Sequence, residues 1–484
     1  MAARERFDLV VIGARCAGSA VAIAAARAGR TVLAVDRSAF PSDTLSTHAN
    51  FPSAVAEMQA LGALERIKRA GPPECREAMV SVGSIATIAR WIPVDGIDYA
   101  LCNPREEFDQ ALVETAREAG AEVRERTSLV DVLWRDGRAS GVRLKDGSRE
   151  YEVDCGLVVG ADGRRSMTAY RVGADRPYRG SRNGRGLAFF YCDDPQVGRP
   201  GQNRMAQHRA GRTHTLVFPC PGDRMLALFM GPAEEIPDFR RDPMGMWDKM
   251  LAENPIAAAR VAGATNHTKL RSTGSVSAFF RRSSGPGWAL TGDAGHFKDP
   301  VIGQGMRDAL RFGRLLGEGA ATALDDPVRL DTTLIEAERR RDRECLASYH
   351  WGNRESRAVE PSDLVRHALR SWGLTGEPAM AEMFDRRRAP HRIMNPLVGT
   401  RFALGAALRS ETDRRALAAE VLDTLRTDIA IWREDLTQPF RSERRLRSEW
   451  PDYDWPSAAP AEVSRPEVTA DADALEQSIE AVAG

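Results

Sequence analysis

The chain holds 484 residues, with 68 Lys+Arg against 68 Asp+Glu and a formal net charge of zero. That balance leaves no global field to recruit nucleic acid or an anionic membrane surface, so neither is expected as a partner. The length suits two or three cores at about 100–200 residues each, and no apolar run approaches a membrane span. Seven cysteines without a C-x-x-C pair argue against a disulfide frame or a zinc site and suit a reducing cytoplasm, the expected location. The first strand begins a few residues after Met1, and no signal peptide is expected.

Residues 7–37 organise the rest. An apolar run over 8–12 leads into Gly13-Ala14-Arg15-Cys16-Ala17-Gly18, an Ala-rich segment to Gly29, and a second apolar run over 31–35 that ends on Asp36. Strand, turn, helix, strand and acidic residue make a dinucleotide-binding unit. Gly13 turns the chain sharply, and Gly18 with Ala17 and Ala22 lets the helix pack close to the sheet. The helix N-terminus offers free N–H groups to a pyrophosphate. Asp36 is placed for both hydroxyls of an adenosine ribose, which favours a nucleotide without a 2′-phosphate. Arg15 stands where the motif has its middle glycine, so its side chain must turn away or lie along the phosphates.

From Arg37 through Thr44, Ser46, Thr47 and His48 the chain is hydroxyl-rich and contains a proline, a loop leaving the nucleotide fold. Helical spacing returns over 50–70, and strands are expected over 79–88 and 98–102. Asn103-Pro104-Arg105-Glu106-Glu107 opens a helix that ends at Gly120, with Asn103 as its cap. Asp136-Gly137 and Asp146-Gly147 read as hairpin turns. Residues 157–163 form a buried strand running into Asp162, and 178–280 are strand-rich around a helical piece over 243–262. Apolar spacing then predicts helices over 303–321, 332–350 and most of 360–437.

The expected fold class is α/β: a Rossmann-like nucleotide-binding domain (1–74, 103–177 and 285–350), an interleaved mixed β-sheet substrate domain (75–102 and 178–284), a mostly helical C-terminal region (351–450), and a loosely ordered tail (451–484).

Three separated segments together resemble the FAD-dependent monooxygenases of the para-hydroxybenzoate hydroxylase type. They are the N-terminal unit, the stretch Gly160-Ala161-Asp162-Gly163-Arg164, and Gly292-Asp293-Ala294-Gly295-His296 with Asp299-Pro300 and Gly303-Gln304-Gly305-Met306. Geranylgeranyl reductases and flavin-dependent halogenases share this skeleton, so it names a cofactor, FAD, better than a reaction. The resemblance implies that Arg105 faces the flavin phosphates and that Asp162 serves FAD and a passing NAD(P)H. Gly292 and Asp293 would hold the ribityl chain or ribose hydroxyls. Pro300 and Gly303–Met306 would present a turn and a helix start to the N1–C2=O edge, where the dipole stabilises the charge of reduced flavin. Asp308 stands where many relatives carry Asn.

His48, on the loop that would pass the isoalloxazine ring, is the candidate catalytic side chain, because an ordinary histidine titrates near working pH. A bond to a flavin phosphate or a backbone carbonyl is its blander alternative. His296 reads as structural, and His208 and His214 read as facing water. Phe189, Phe190, Tyr191, Phe218 and Phe229 suggest an apolar pocket on the sheet.

The implied activity is hydroxylation of an aromatic or other electron-rich small molecule through a flavin C4a-hydroperoxide. Molecular oxygen is the co-substrate, and NAD(P)H is the transient reductant unless a partner flavin reductase replaces it. The alternatives are a flavin-dependent reductase of isoprenoid double bonds, a flavin-dependent halogenase, and a non-catalytic flavin-binding protein. The reductase would need a long apolar channel and would consume no oxygen. Residues 360–437 would serve as a lid, as part of the pocket, or as the surface of a homodimer.

Overall fold

The computed structural model describes residues 4–46, 48–274, 276–409 and 412–437. Thr47, residues 438–450 and the tail over 451–484 lie outside the described residues.

Five parallel strands form the centre of the larger sheet, in the order Glu122–Arg124, Val32–Val35, Glu5–Ile12, Arg149–Gly160 and Trp288–Leu290. Their apolar runs are buried on both faces, with Leu9, Val10 and Val11 fully inaccessible, as a helix-covered parallel sheet requires. A hairpin of Thr127–Arg135 and Arg138–Asp146 extends this sheet, turning through Asp136-Gly137 with both φ angles positive.

Helix Cys16–Arg27 lies parallel to helix Gly305–Ala323. A Cβ on Gly313 would sit 2.6 Å from the Ala17 carbonyl oxygen, and one on Gly317 would sit 2.6 Å from that of Val21. The missing side chains let the two backbones touch, which brings both helix N-termini to the same end of the sheet.

The second sheet has seven strands, in the order Arg271–Thr273, Arg185–Asp193, Arg224–Pro232, Thr213–Cys220, Arg204–Ala210, Glu77–Val82 and Ile85–Arg90. The strand expected over 79–88 is therefore a hairpin that reverses at Gly83. One face buries Phe190 and Phe229 against Phe239, Trp247 and Met250. The other buries Leu187, Phe189 and Phe218 with Leu364, Leu369, Trp372 and Phe402 of the C-terminal helices.

The helix expected over 50–70 divides into Pro52–Ala60 and Leu64–Lys68. That over 243–262 divides into Pro243–Ala252 and Pro255–Val261, where Asn254 caps the second by accepting from the Ala257 N–H at 3.2 Å. The helix expected over 332–350 runs further, as Pro327–Glu355, because Asp326 caps its start. No helix among the described residues is long and apolar enough to cross a membrane.

Candidate active site

The carboxyl ends of the parallel strands carry Gly13, Asp36, Asp162 and the pair Gly292-Asp293. In open α/β sheets this end forms the ligand crevice. Gly13 has φ +96°, and any Cβ there would run into the Ala161 carbonyl. Asp36 is buried and accepts from the Ala14 N–H at 2.9 Å and the Ser38 N–H at 2.8 Å. These bonds fix the carboxylate and leave lone pairs for a ligand. Arg37 beside it is exposed.

The Arg15 guanidinium donates to Asp109 at 2.6 Å and to the Ser42 Oγ at 2.9 Å. Arg105 donates to the same Asp109 through Nε and Nη2, at 3.1 and 2.8 Å. Asp109 escaped the sequence analysis, although its place four residues after Arg105 on one helix face was the available signal. Burial pushes the neighbouring Cys16 thiol up to about 12, which leaves it inert.

Asp162 is engaged within its own loop. Ser166 Oγ donates to it at 2.5 Å, and the Thr168 N–H and hydroxyl donate at 2.9 and 3.1 Å. Asp293 makes no hydrogen bond to the described residues. Burial pushes its carboxyl up, against the pull of Arg164, His296 and Arg105.

The turn Pro300–Ile302 is pinned by Asp299, which accepts from the Val301 N–H at 2.9 Å and from Asn183 Nδ2 at 2.7 Å. Gly303 follows with φ +64°, and a Cβ there would press the Phe51 ring at 3.1 Å. Gln304 donates to the Phe384 carbonyl at 2.6 Å. Helix Gly305–Ala323 starts with no side-chain cap, and nothing lies within 4 Å of a Cβ built on Gly305. With no side chain among the described residues taking its first N–H groups, it is a second anion-favouring helix start at this end. Ser46 donates to Met306 Sδ at 3.8 Å, which brings the loop of Thr44 and Ser46 against that start.

His48 is wholly buried with φ +62°, and its Nε2 lies 3.0 Å from the Tyr191 hydroxyl. Burial first, then Arg105 and Arg271, lower its pKa to about 3. The expectation of a group titrating near working pH is thereby corrected: the imidazole is neutral. Its Nδ1 finds no partner among the described residues.

His208 and His214 do not face water. Each is 1% exposed, because helices cover both faces of the second sheet. His208 Nδ1 meets Ser81 Oγ at 2.9 Å, and His214 takes Gln207 and Arg209. The five aromatics divide by strand alternation: Phe189, Tyr191 and Phe218 pack on one face, Phe190 and Phe229 on the other, so they do not share a pocket.

Behind the turn, Asp308 is the hub of a buried charge cluster. Lys298 and Arg386 donate to it, Arg307 does so at 3.0 Å, and His296 Nε2 lies 3.6 Å away. His296, Asp308 and Cys345 could together reach a metal ion, but three cations already crowd the carboxylate. Burial pushes the Cys345 thiol up, yet Lys298, His296 and Arg386 overcome it and hold the thiol well below its ordinary value.

A chamber of about 590 Å³ lies between the second sheet and the C-terminal helices. A smaller apolar pocket of about 30 Å³ adjoins it against the turn Pro300–Gly303, and the two share Val80, Gln207, Val301, Ile302 and Phe384. Sequence spacing could not show this space, because its walls come from elements about 280 residues apart, as the Thr87 hydroxyl bonded to the Leu369 carbonyl shows.

A long anionic dinucleotide suits the crevice: two helix starts without side-chain caps, a fixed carboxylate at Asp36, one without hydrogen bonds among the described residues at Asp293 and a glycine turn whose arginine is bonded to Asp109. The comparisons agree. The family described as "FAD binding domain" matches residues 6–360. The chain is 31% identical over 340 residues to menaquinone reductase of Mycolicibacterium smegmatis, covering 65% of this chain and 76% of the relative. It is 24% identical over 355 residues to digeranylgeranylglycerophospholipid reductase of Methanosarcina mazei, covering 66% and 76%. Among solved structures it resembles the myxobacterial chondrochloren halogenase CndH, with a TM-score of 0.64, 22% identity, and coverage of 82% of this chain and 97% of that one.

Proposed function

We propose a reductase activity for this chain, which belongs to the FAD binding domain family and is a flavin-dependent oxidoreductase. The bond reduced is a carbon–carbon double bond in a bulky, largely apolar substrate. The observation that carries this reading is the chamber of about 590 Å³ against Val301 and Ile302 of the turn, with an apolar side along Leu364, Leu369, Trp372 and Phe384, a larger space than a hydroxylase of small aromatics needs. The two relatives, both reductases by name, support it.

Bound FAD, reduced by NAD(P)H or by a partner reductase, supplies the hydride. The protein binds, orients and excludes water. Residues 13–18 take the pyrophosphate on the first helix start, beside Arg105. Asp36 takes the adenosine ribose, and Asp293 takes hydroxyls of the ribityl side. Gly303–Met306 aim N–H groups at the pyrimidine edge, where negative charge develops. Asp162 acts as a positioning residue, since its oxygens hold the loop that abuts Gly13. Burial keeps Tyr191 protonated and His48 neutral, so this pair carries a proton without a charge.

Oxygenation is the second reading. The apolar pocket against Pro300–Gly303 favours it, because oxygen transfer also needs a water-poor site. Product mass separates the two. Reduction adds two hydrogens to the substrate and takes up no oxygen. A product that gains one oxygen atom, with matching oxygen uptake, would transfer the protein to the second reading.

A further inference from the structure

The chamber is apolar along Leu364, Leu369, Trp372, Met380 and Phe384, but one part of its wall is cationic. Arg185, 2% exposed, gives its hydrogen bonds to the carbonyls of Glu355, Arg212 and Met230, at 2.8, 2.7 and 3.2 Å, and to no carboxylate. Arg209 reaches the Glu355 carboxylate at 2.7 Å. Arg354 has no hydrogen-bond or ion-pair partner among the described residues.

Of the carboxylates near these three arginines, Glu355 is bonded by Arg209, and Asp363 and Asp413 also line the chamber. Asp299 is held by Asn183 and the Val301 N–H, and burial pushes the carboxyls of Glu420 and Asp428 up toward the neutral form. Arg357 and Arg366, also on the wall, are paired with Asp423 and Glu360 at 2.8 and 2.7 Å. The three guanidiniums of Arg185, Arg209 and Arg354 therefore share the bonded carboxylate of Glu355. In addition, the indole Nε1 of Trp372 is buried on the wall without an acceptor. A buried donor left unmatched in a ligand-sized space calls for an oxygen-bearing ligand.

We infer that the chamber takes an amphiphile whose acidic head group, a carboxylate or a phosphate, sits on Arg185, Arg209 and Arg354 while its apolar body runs along Leu369 and Phe384 toward the flavin-facing turn. The inference rests on the chamber being the substrate's, as proposed above. It adds the charge of the substrate and the end by which it is held. Guanidinium forks match both acidic groups, which is why arginine serves here better than lysine.

The test is binding to the FAD-loaded protein, followed by calorimetry, and it needs no turnover. The probes are oleate, oleyl phosphate and oleyl alcohol, and which of the first two binds tighter tells carboxylate from phosphate. The inference predicts that the acidic probes bind more tightly than the alcohol. Arg354→Gln should weaken the acidic probes about tenfold, as loss of one charge-assisted hydrogen bond does, and leave the alcohol unchanged. Arg354 makes no side-chain hydrogen bond or ion pair among the described residues, so this variant should keep the flavin spectrum and melting temperature of the parent. Trp372→Phe should weaken all three probes alike. Equal affinity for acid and alcohol, failure of all three to bind, or an Arg354→Gln loss shared by the alcohol would each overturn the inference. A protein that discriminates the head groups yet reduces no alkene would sink the reductase reading alone.

Discussion

The guanidinium of Arg15 and the carboxylate of Asp109 meet at 2.6 Å across 94 residues of chain. This contact explains how a glycine motif can carry an arginine at its centre. The side chain is held by a fully buried acid that also anchors Arg105.

Asp109→Ala should therefore be the damaging change. It leaves two cations without their partner, and breaking a buried pair from one side costs about 3–5 kcal/mol. Arg15→Ala leaves Asp109 with Arg105 and should cost only about 1 kcal/mol. Denaturant unfolding of the two variants checks the order, and a reversed order would show that Arg15 rather than Asp109 organises the cluster.

Gly313→Val should separate helices Cys16–Arg27 and Gly305–Ala323, because even a single Cβ there meets the Ala17 carbonyl oxygen at 2.6 Å. Overpacking of this kind costs about 1–3 kcal/mol. The purified variant should hold less FAD per chain, read from its absorbance. A variant with full FAD content and unchanged stability would show that the two helix starts are not jointly required.

His48 makes stability depend on pH in a defined direction. An ordinary histidine titrates at 6.5, and in the fold burial lowers this to about 3. As pH falls, the unfolded chain takes up the proton first. The contribution is therefore whole above about pH 6.5 and is lost progressively toward pH 3. His48→Asn removes the titration, and asparagine tolerates the positive φ of this position. Its unfolding free energy should decline less steeply with acid than the parent's. An unchanged slope would place the titration elsewhere.

Much of the nucleotide end was legible because its signals are local. The glycine turn, Asp36 and the start of helix Gly305–Ala323 each follow from neighbours within a few residues. What was hidden depends on distant partners. His48 looked like a titrating group because nothing near it in sequence announces Phe189 and Tyr191 around its ring. His208 and His214 looked solvent-facing because the cover on both faces of their sheet comes from helices far along the chain. The Asp308 cluster draws on Lys298, Cys345 and Arg386, and the chamber needs the helices after residue 360, beyond the matched family region.

Asp308→Asn tests that cluster. Asparagine keeps the shape but removes the negative charge from beside Lys298, Arg307 and Arg386. Stability should fall by about 3 kcal/mol, the scale for leaving buried charge uncompensated. A melting temperature equal to the parent's would show that the cluster draws its compensation from Cys345 instead.

The most direct test of the account is anaerobic reoxidation. The FAD-loaded protein is reduced under argon and mixed with an amphiphile carrying a polyprenyl chain and an acidic head, and the oxidised flavin absorbance is followed. A reductase recovers that absorbance without oxygen and yields a product with one double bond fewer. If the flavin stays reduced until air is admitted, and the product then carries a new oxygen atom, the reductase account is contradicted.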